Sequence, residues 1–313
     1  MNLHQFRFVQ EAARRNLNLT EVAKALHTSQ PGVSKAIIEL EEELGIEIFS
    51  RHGKRLKRVT EPGQHVLRSI EVILREVGNL KRIGEQFSNQ NSGTLSIATT
   101  HTQARYVLPV PVSKLRESYP DVSISLHQGA PAQVAQMVLD EVAEIGIATE
   151  SLADYPDLIT LPCYEWEHVL VIPKKHPLAA KTRITLEDLA AEPIITYHPS
   201  FTGRTRIDKA FAAKGLNPRI ALEAIDSDVI KTYVQLGLGV GIVAEMAVRD
   251  GLSNDLVVRP GSQLFGKNTA RIAFKRSAYL RNFVYDFAAL LSDRLDKNLI
   301  LKALEGRHVD YDL

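Results

Sequence analysis

The chain contains a single cysteine, Cys163, among its 313 residues. One thiol excludes a disulfide within the chain, so we expect a reducing compartment, the cytoplasm. The opening stretch MNLHQFRFVQEAARR lacks the apolar core of a signal peptide, and no apolar run approaches the length of a membrane span. The sequence therefore predicts a cytoplasmic protein without a membrane partner.

The chain as a whole also lacks an excess of positive or negative charge. Its 38 Lys and Arg residues against 37 Asp and Glu residues give a formal net charge of +1, so no global charge attracts nucleic acid or a membrane. The distribution is less even, because residues 1–90 carry 14 basic and 11 acidic residues. Within them, the run Arg51–Arg58 holds five basic residues and no acidic one. Such a run is commonly a solvated loop and does not by itself identify a partner.

Signatures of enzymes and of metal sites are absent too. No Cys-His-Asn arrangement is placed by spacing around Cys163, and the ten histidines form no metal-ligand pair at fixed spacing. The segment Gly237–Gly241 (GLGVG) follows a predicted helix and enters a strand, whereas a dinucleotide-binding loop follows a strand and begins a helix. We expect no cofactor and no metal, and we keep an α/β enzyme with a helical oligomerisation arm as an alternative.

The first sixty residues have the pattern of short helices followed by a hairpin. Apolar spacing predicts three helices, the second within NLTEVAKALH with Thr20 as its N-cap. The third spans Gln30–Glu43, with Pro31 tolerated in its first turn. Its apolar face should consist of Val33, Ile37, Leu40 and Leu44. A hairpin follows, with its tip at His52-Gly53-Lys54.

The second and third predicted helices, joined by the turn HTS, form a helix-turn-helix. In that motif the N-terminal residues of the second helix reach base edges in the major groove. Gln30 offers a donor and an acceptor, as adenine requires, Ser34 can reach a base or a phosphate, and Lys35 favours phosphate. The predicted DNA-binding surface also includes Thr28, Ser29, Pro31 and, on the basic hairpin, Arg51, Lys54 and Arg55. The alternative is a helical pair with a polar solvent face.

A long helix is predicted from Gly63 to about Asn89. Apolar or small residues recur along it at spacings of four and three, at Val66, Ile70, Ile73, Val77, Leu80, Gly84 and Phe87. This seam could pack on the preceding helices. We expect self-association instead, because charged residues fill both flanks of the seam.

After the polar linker Ser88–Gly93, short apolar runs alternate with helical segments. This alternation predicts βαβ units and a mostly parallel sheet. About 200 residues are many for one sheet, so we expect two halves, with a crossing near Leu161–Cys163 and a late return of Ala270–Arg276 to the first half. No internal repeat is visible.

Several stretches resemble the LysR-type transcriptional regulators. The segment from NLNLTEVAKALHTSQPG to RVTEPGQ is similar to their winged helix-turn-helix, and HPLA, ITLEDLA and VQLGLGVGIVAEMA are similar to their effector-binding region. More narrowly, IATTHTQARYVLP, LPCYEWEH and FTGRTRID resemble the members that activate cysteine-biosynthesis genes. A regulator of another pathway, such as sulfonate use, is the alternative within the family.

The resemblance implies an α/β fold with an N-terminal all-α winged helix-turn-helix domain, a long linker helix and two Rossmann-like subdomains of the periplasmic-binding-protein type. The expected divisions are a DNA-binding domain at 1–60, a linker and dimerisation helix at 61–90, subdomain I at 91–162 with 267–313, and subdomain II at 163–266. The implied partners are promoter DNA, RNA polymerase, a small-molecule effector and further copies of the chain in a homodimer or homotetramer.

The stretch TTHTQ is predicted to bind the effector. It follows the strand TLSIA and precedes a helix, so it lies at the carboxyl end of a strand, where open α/β sheets bind ligands. Helix N-termini at two such strand ends would favour an anion. The hydroxyl and amide donors expected there are Thr100, Thr102, Gln103, Thr149 and Thr202. The alternative is that the threonines only cap helices.

Tyr164 and Trp166 lie near the proposed crossing. The sequence leaves open whether they pack in the core or line the wall of the ligand site. The resemblance implies that the threonines and Gln103 hold a small anion, either sulfate or the carboxylate of acetylserine.

Overall fold

The computed structural model describes residues 1–53, 55–88, 91–249 and 251–307, without the side chains of Gln86, Ser88 and Thr202. The chain forms two compact units, Met1–Gly84 and Glu85–Leu313. In these ranges, no helix combines the length and the apolar character that crossing a membrane requires.

The N-terminal unit begins with three helices. They are α1 (Leu3–Arg14), α2 (Leu19–Ala25) and α3 (Gln30–Leu44). The prediction of Thr20 as the N-cap of α2 is wrong, because Asn18 Oδ1 accepts hydrogen bonds from the N–H groups of Thr20 and Glu21. The start of α3 is as predicted. The Ser29 hydroxyl accepts from Gly32 N–H at 3.2 Å, and the preset φ of Pro31 suits the first turn.

A two-stranded hairpin completes the core of this unit. Strands β1 (Phe49–His52) and β2 (Arg55–Val59) pair antiparallel. The largest fully buried side chains of this unit are Phe49, Ile37, Leu40, Ile48 and Ile70. Leu44 is 38% exposed and does not belong to the predicted apolar face of α3, because the helix ends there and Gly45 turns the chain with a φ of 66°.

Helix α4 (Glu61–Ser88) carries the predicted seam, which divides into two parts. Ile70 is buried and Val66 is half-buried, and both pack against the core of the N-terminal unit. Further along, Ile73, Leu80 and Phe87 are 40%, 67% and 73% exposed. The early seam positions therefore stabilise their own domain, and the later ones leave an apolar stripe uncovered within the chain.

The C-terminal unit contains two halves with the same arrangement of strands. The first half contains β3 (Ser92–Thr99), α5 (His101–Tyr106), α6 (Pro109–Ser118), β4 (Asp121–Gln128), α7 (Pro131–Leu139) and β5 (Ile145–Thr149). The second contains α8 (Leu186–Ala190), β7 (Ile194–Tyr197), α9 (Thr202–Ala213), β8 (Ile220–Ala224), α10 (Ser227–Gln235) and β9 (Val240–Ala244). Each half has a parallel sheet, in the orders β4-β3-β5 and β8-β7-β9.

Strand β6 (Leu158–Pro173) runs through both halves. Its residues up to Glu167 pair with β11 (Lys267–Lys275), and from His168 onwards it pairs with β9. The change of partner comes later than the crossing expected near Leu161–Cys163. As expected, β11 returns to the first half and pairs with β5. The prediction of a mostly parallel sheet holds inside each half but not at the centre, where β5, β11, β6 and β9 pair antiparallel in turn.

The remaining elements complete the C-terminal unit. They are β10 (Leu256–Pro260), α11 (Ser262–Phe265), α12 (Asn282–Leu291), α13 (Lys297–Leu304) and 3-10 turns at Glu150–Asp154, Pro177–Ala180 and Glu245–Val248.

The exposed half of the seam should mediate self-association. Ile73→Asp with Leu80→Asp would place carboxylates in an apolar interface and should reduce the assembled species in sedimentation velocity, with far-UV circular dichroism unchanged. Lys81→Asp places the same carboxylate beside the seam and should leave the profile as in the wild type. A double variant that sediments like the wild type would show that this stripe is not an interface.

Candidate functional site

The predicted DNA-binding surface brings the start of α3 close to the hairpin tip. One groove runs between them and is lined by Gln30, Pro31, Ser34, Lys35, Ile38, Glu39, Glu42, Arg51 and Gly53. A neighbouring hollow joins Gln30 to Arg55. The Lys35 side chain is 80% exposed, with its ammonium 3.6 Å from Glu39. Thr28 and Ser29 are exposed as well, while Lys54 lies outside the described residues.

Two residues predicted to contact DNA also hold the domain together. Arg51 Nη2 lies 2.7 Å from Glu41 Oε2, and the other oxygen of Glu41 accepts from the N–H groups of Ile48 and Phe49 at 2.8 and 3.0 Å. The Ser29 hydroxyl caps α3. Glu41 was not singled out from the sequence, because its partners are seven to ten residues away and no local pattern marks it. Phosphate contact by Arg51 stays a prediction.

The predicted effector residues meet in one cleft of the C-terminal unit. The carboxyl ends of β3, β5 and β7 surround a small cavity. Its lining consists of Thr100, Thr102, Gln103, Thr149, Trp166, Tyr197, Phe201, Gly203, Ala244 and Met246. Thr202 lies between two lining residues at the start of α9, but its side chain is outside the described part. Tyr197, Phe201, Ala244 and Met246 were missed, since apolar and aromatic residues after a strand give no sequence signal of a ligand.

Thr100 offers a hydroxyl to a ligand in the cleft. Thr100 precedes α5 at the N-cap position, yet its hydroxyl makes no capping hydrogen bond, which disfavours the capping alternative at this residue. Its neighbour Thr99 has a different role and donates to the carbonyl of Ile147 at 2.9 Å, across the sheet. Among the described side chains that line the cleft, none is charged.

Two tyrosines orient the polar groups of the cleft. Tyr164 does not line the cavity, but its hydroxyl donates to Gln103 Oε1 and leaves the amide nitrogen as the free donor. The Tyr197 hydroxyl lies 2.7 Å from Ser227 Oγ and accepts from Ala244 N–H at 2.8 Å. Burial raises the pKa of both phenols, so both stay protonated at neutral pH.

Polar pairs connect the two halves at the rim of the cleft. Tyr106 of α5 donates to Asp228 of α10 at 2.6 Å, and Lys231 lies 3.0 Å from the same carboxylate. Arg206 of α9 pairs with Glu150, which follows β5, at 2.8 Å. These contacts hold the cleft closed without entering it.

Two other sets of reactive groups lie in the described part of the chain. Burial raises the pKa of Cys163 to about 12, so this thiol is not a nucleophile. His101, Asp226 and Asp228 have ligand atoms within 4.8 Å of one another. The ammonium of Lys231 beside Asp228 opposes a cation at that position.

Comparison with known proteins gives matches along the whole chain. Residues 3–64 match the bacterial regulatory helix-turn-helix protein family, lysR type, and residues 88–296 match the LysR substrate binding domain. The chain is 55% identical to the HTH-type transcriptional regulator CysB of Burkholderia cenocepacia over all of both chains. It is 49% identical to the regulator SsuR of the same organism, over 95% of this chain and 96% of SsuR.

Among solved structures, the cofactor-binding domain of the Cbl transcriptional regulator is similar to this chain. The two are 44% identical with a TM-score of 0.66, covering 69% of this chain and 95% of that domain.

The pairing of Arg51 with Glu41 predicts a structural loss when the arginine is removed. Arg51→Ala leaves a buried carboxylate without its counter-charge and should lower the free energy of unfolding of the domain by about 1–3 kcal/mol in urea titrations. Arg55→Ala, on the same hairpin and exposed, should change it by less than about 0.5 kcal/mol. Equal stability of the two variants would mean that the Glu41 pair contributes nothing.

Proposed function

Because this chain belongs to the LysR family of bacterial transcriptional regulators, we propose that it activates genes of sulfur assimilation and cysteine biosynthesis in response to a small anion. The chain is a regulator and not an enzyme, which removes the enzyme alternative. The identity to CysB and the stretch TTHTQARY support the cysteine-gene assignment. A regulator of another sulfur pathway, such as sulfonate use, is the second candidate, because SsuR is also similar over nearly the whole chain.

The composition of the cleft is the observation that carries this proposal. Hydroxyl and amide donors from Thr100, Thr102, Gln103 and Thr149 converge on one cavity whose described lining has no charged side chain. Neutral donors select an anion or a carbonyl without the strong attraction of an ammonium, so the ligand can dissociate. Phe201, Ala244 and Met246 add an apolar wall suited to a methyl group. Sulfate and the carboxylate of acetylserine fit this description.

Promoter DNA is the proposed macromolecular target. The exposed start of α3 and the basic hairpin present donors on one surface, as a helix-turn-helix requires. A homodimer or homotetramer would present two such surfaces, and the exposed stripe of α4 supports assembly. Activation also requires a contact with RNA polymerase, which we propose as a further partner in the cytoplasm.

Substitutions on α3 should separate base contacts from phosphate contacts. Gln30→Ala should weaken specific binding by about 1–3 kcal/mol and relax sequence choice, whereas Lys35→Ala should weaken all duplexes alike and lower the salt slope by about 1. Fluorescence anisotropy with promoter and scrambled duplexes at several salt concentrations measures both effects. If Gln30→Ala weakens both duplexes equally, Gln30 does not contact bases.

The cleft assignment predicts lost ligand binding when a hydroxyl is removed. Thr100→Val keeps the shape of the side chain but deletes a donor, so sulfate and acetylserine should bind about tenfold more weakly in titration calorimetry. Thr94→Val makes the same change at the exposed other end of β3 and should bind like the wild type. Wild-type affinity in the Thr100 variant would remove this residue from the site. That the Thr202 hydroxyl contacts the ligand stays a prediction from the sequence alone, because its side chain is outside the described part.

A further inference from the structure

We propose that the cleft continues into an inner subsite, formed by Trp166, His168 and Asn268, which binds the uncharged acyl arm of an organic effector. The hydroxyl-lined end holds the anionic group, so an inorganic anion fills that end only. This inference rests on the proposed function and adds the chemical feature that separates an organic effector from sulfate.

The three side chains lie together where β6 changes partner. Asn268 is directly opposite Trp166 in the β11–β6 register, so the two side chains share a face of the sheet. His168 follows Trp166 by two residues on the same face and is the first residue to pair with β9. The Trp166 and His168 rings are 5.0 Å apart, and His168 Nδ1 lies 3.4 Å from Asn268 Nδ2.

Each of the three side chains has a buried polar atom that lacks a partner. Trp166 Nε1, His168 Nε2 and Asn268 Oδ1 make no hydrogen bond to the described residues. His168 and Asn268 are fully buried, and Trp166 is 5% exposed. Burying such an atom without a partner is costly, and nearly all buried polar atoms in native proteins are satisfied by protein, water or ligand. Three orphan atoms at one place therefore point to a bound group.

Gly203 separates this cluster from the main cavity. A Cβ atom at position 203 would lie 3.1 Å from both His168 Nε2 and the Trp166 ring. Gly203 and Trp166 also line the cleft itself. His168 Nε2 thus faces the back of the first turn of α9, and an acyl arm would have to displace that turn outward to pass from the cavity to the cluster.

The free atoms define the chemistry of the arm. Burial, aided by the charge of Arg206, lowers the pKa of His168 to about 3, so the imidazole is neutral at pH 7. With Nδ1 accepting from the Asn268 amide, Nε2 carries the proton and donates. Two donors and one acceptor match a carbonyl with a neighbouring N–H. The nearby charges of Arg206 and Glu150 pair at 2.8 Å and offset each other, so a second carboxylate is not favoured.

Calorimetry of the full-length chain with sulfate and with N-acetylserine tests the subsite. In the double variant His168→Phe, Asn268→Leu, both polar partners become apolar groups of similar shape, so the fold should be retained. N-acetylserine should then bind about tenfold or more weakly, while sulfate affinity stays within about twofold. His168→Gln returns an amide donor near the Nε2 position and is the matched control, with N-acetylserine affinity close to that of the wild type.

Unchanged N-acetylserine binding in the double variant would overturn the inner subsite while leaving the main cleft intact. Equal loss of both ligands would also overturn it, because the polar cluster would then be structural. If the double variant does not fold, Asn268→Leu alone decides, since it removes the acceptor of the cluster at a residue outside the lining of the main cleft, and it should weaken N-acetylserine but not sulfate. A wild-type chain that binds neither ligand would contradict the proposed function itself.

Discussion

Strand β6 determines where the ligand site lies. It is 16 residues long and belongs to both halves of the C-terminal unit. Because β5, β11 and β6 pair antiparallel in turn, β6 runs in the same direction as β3 and β5. It pairs antiparallel with β9, which is parallel to β7, so the strands of the second half run the opposite way. The carboxyl ends of the two parallel sheets therefore face each other, and the donors that follow them meet in one cleft.

The contacts that close this cleft are weak enough to be reversed. The pairs Tyr106–Asp228 and Arg206–Glu150 join the halves, but their carboxylates keep 45% and 29% side-chain exposure. A partly exposed ion pair such as Arg206–Glu150 is worth about 0–1 kcal/mol, and a hydrogen bond to a charged group such as Tyr106–Asp228 is worth about 1.5–3 kcal/mol. The two halves are thus held together at the rim by separate contacts, each of which contributes little free energy. A few kcal/mol of differential binding by a ligand would be enough to shift an equilibrium that depends on contacts of this strength.

The features that could be predicted from the sequence are those with a local cause. Ser29 and Pro31 mark the start of α3, because the Ser29 hydroxyl caps the helix and the Pro31 ring fixes φ within the same first turn. The strand-end threonines were found because a strand followed by a helix start is a local pattern. The crossing was misplaced because Pro162 usually ends a strand, whereas here it lies where the β6–β11 register shifts, and such an irregularity tolerates proline. Tyr197 escaped notice because its partners lie 30 and 47 residues away.

The polar cluster behind Gly203 links ligand chemistry to the shape of the unit. Atoms that are buried without partners raise the free energy of the unliganded closed form, and a ligand that satisfies them lowers it. Such a ligand binds the closed form better than the open one, and only a differential affinity of this kind can shift a conformational equilibrium. An inorganic anion satisfies the hydroxyl groups alone and leaves His168, Asn268 and the Trp166 N–H as they were. If the proposed subsite binds the acyl arm, two ligands that occupy the same cleft will shift the two halves to different extents.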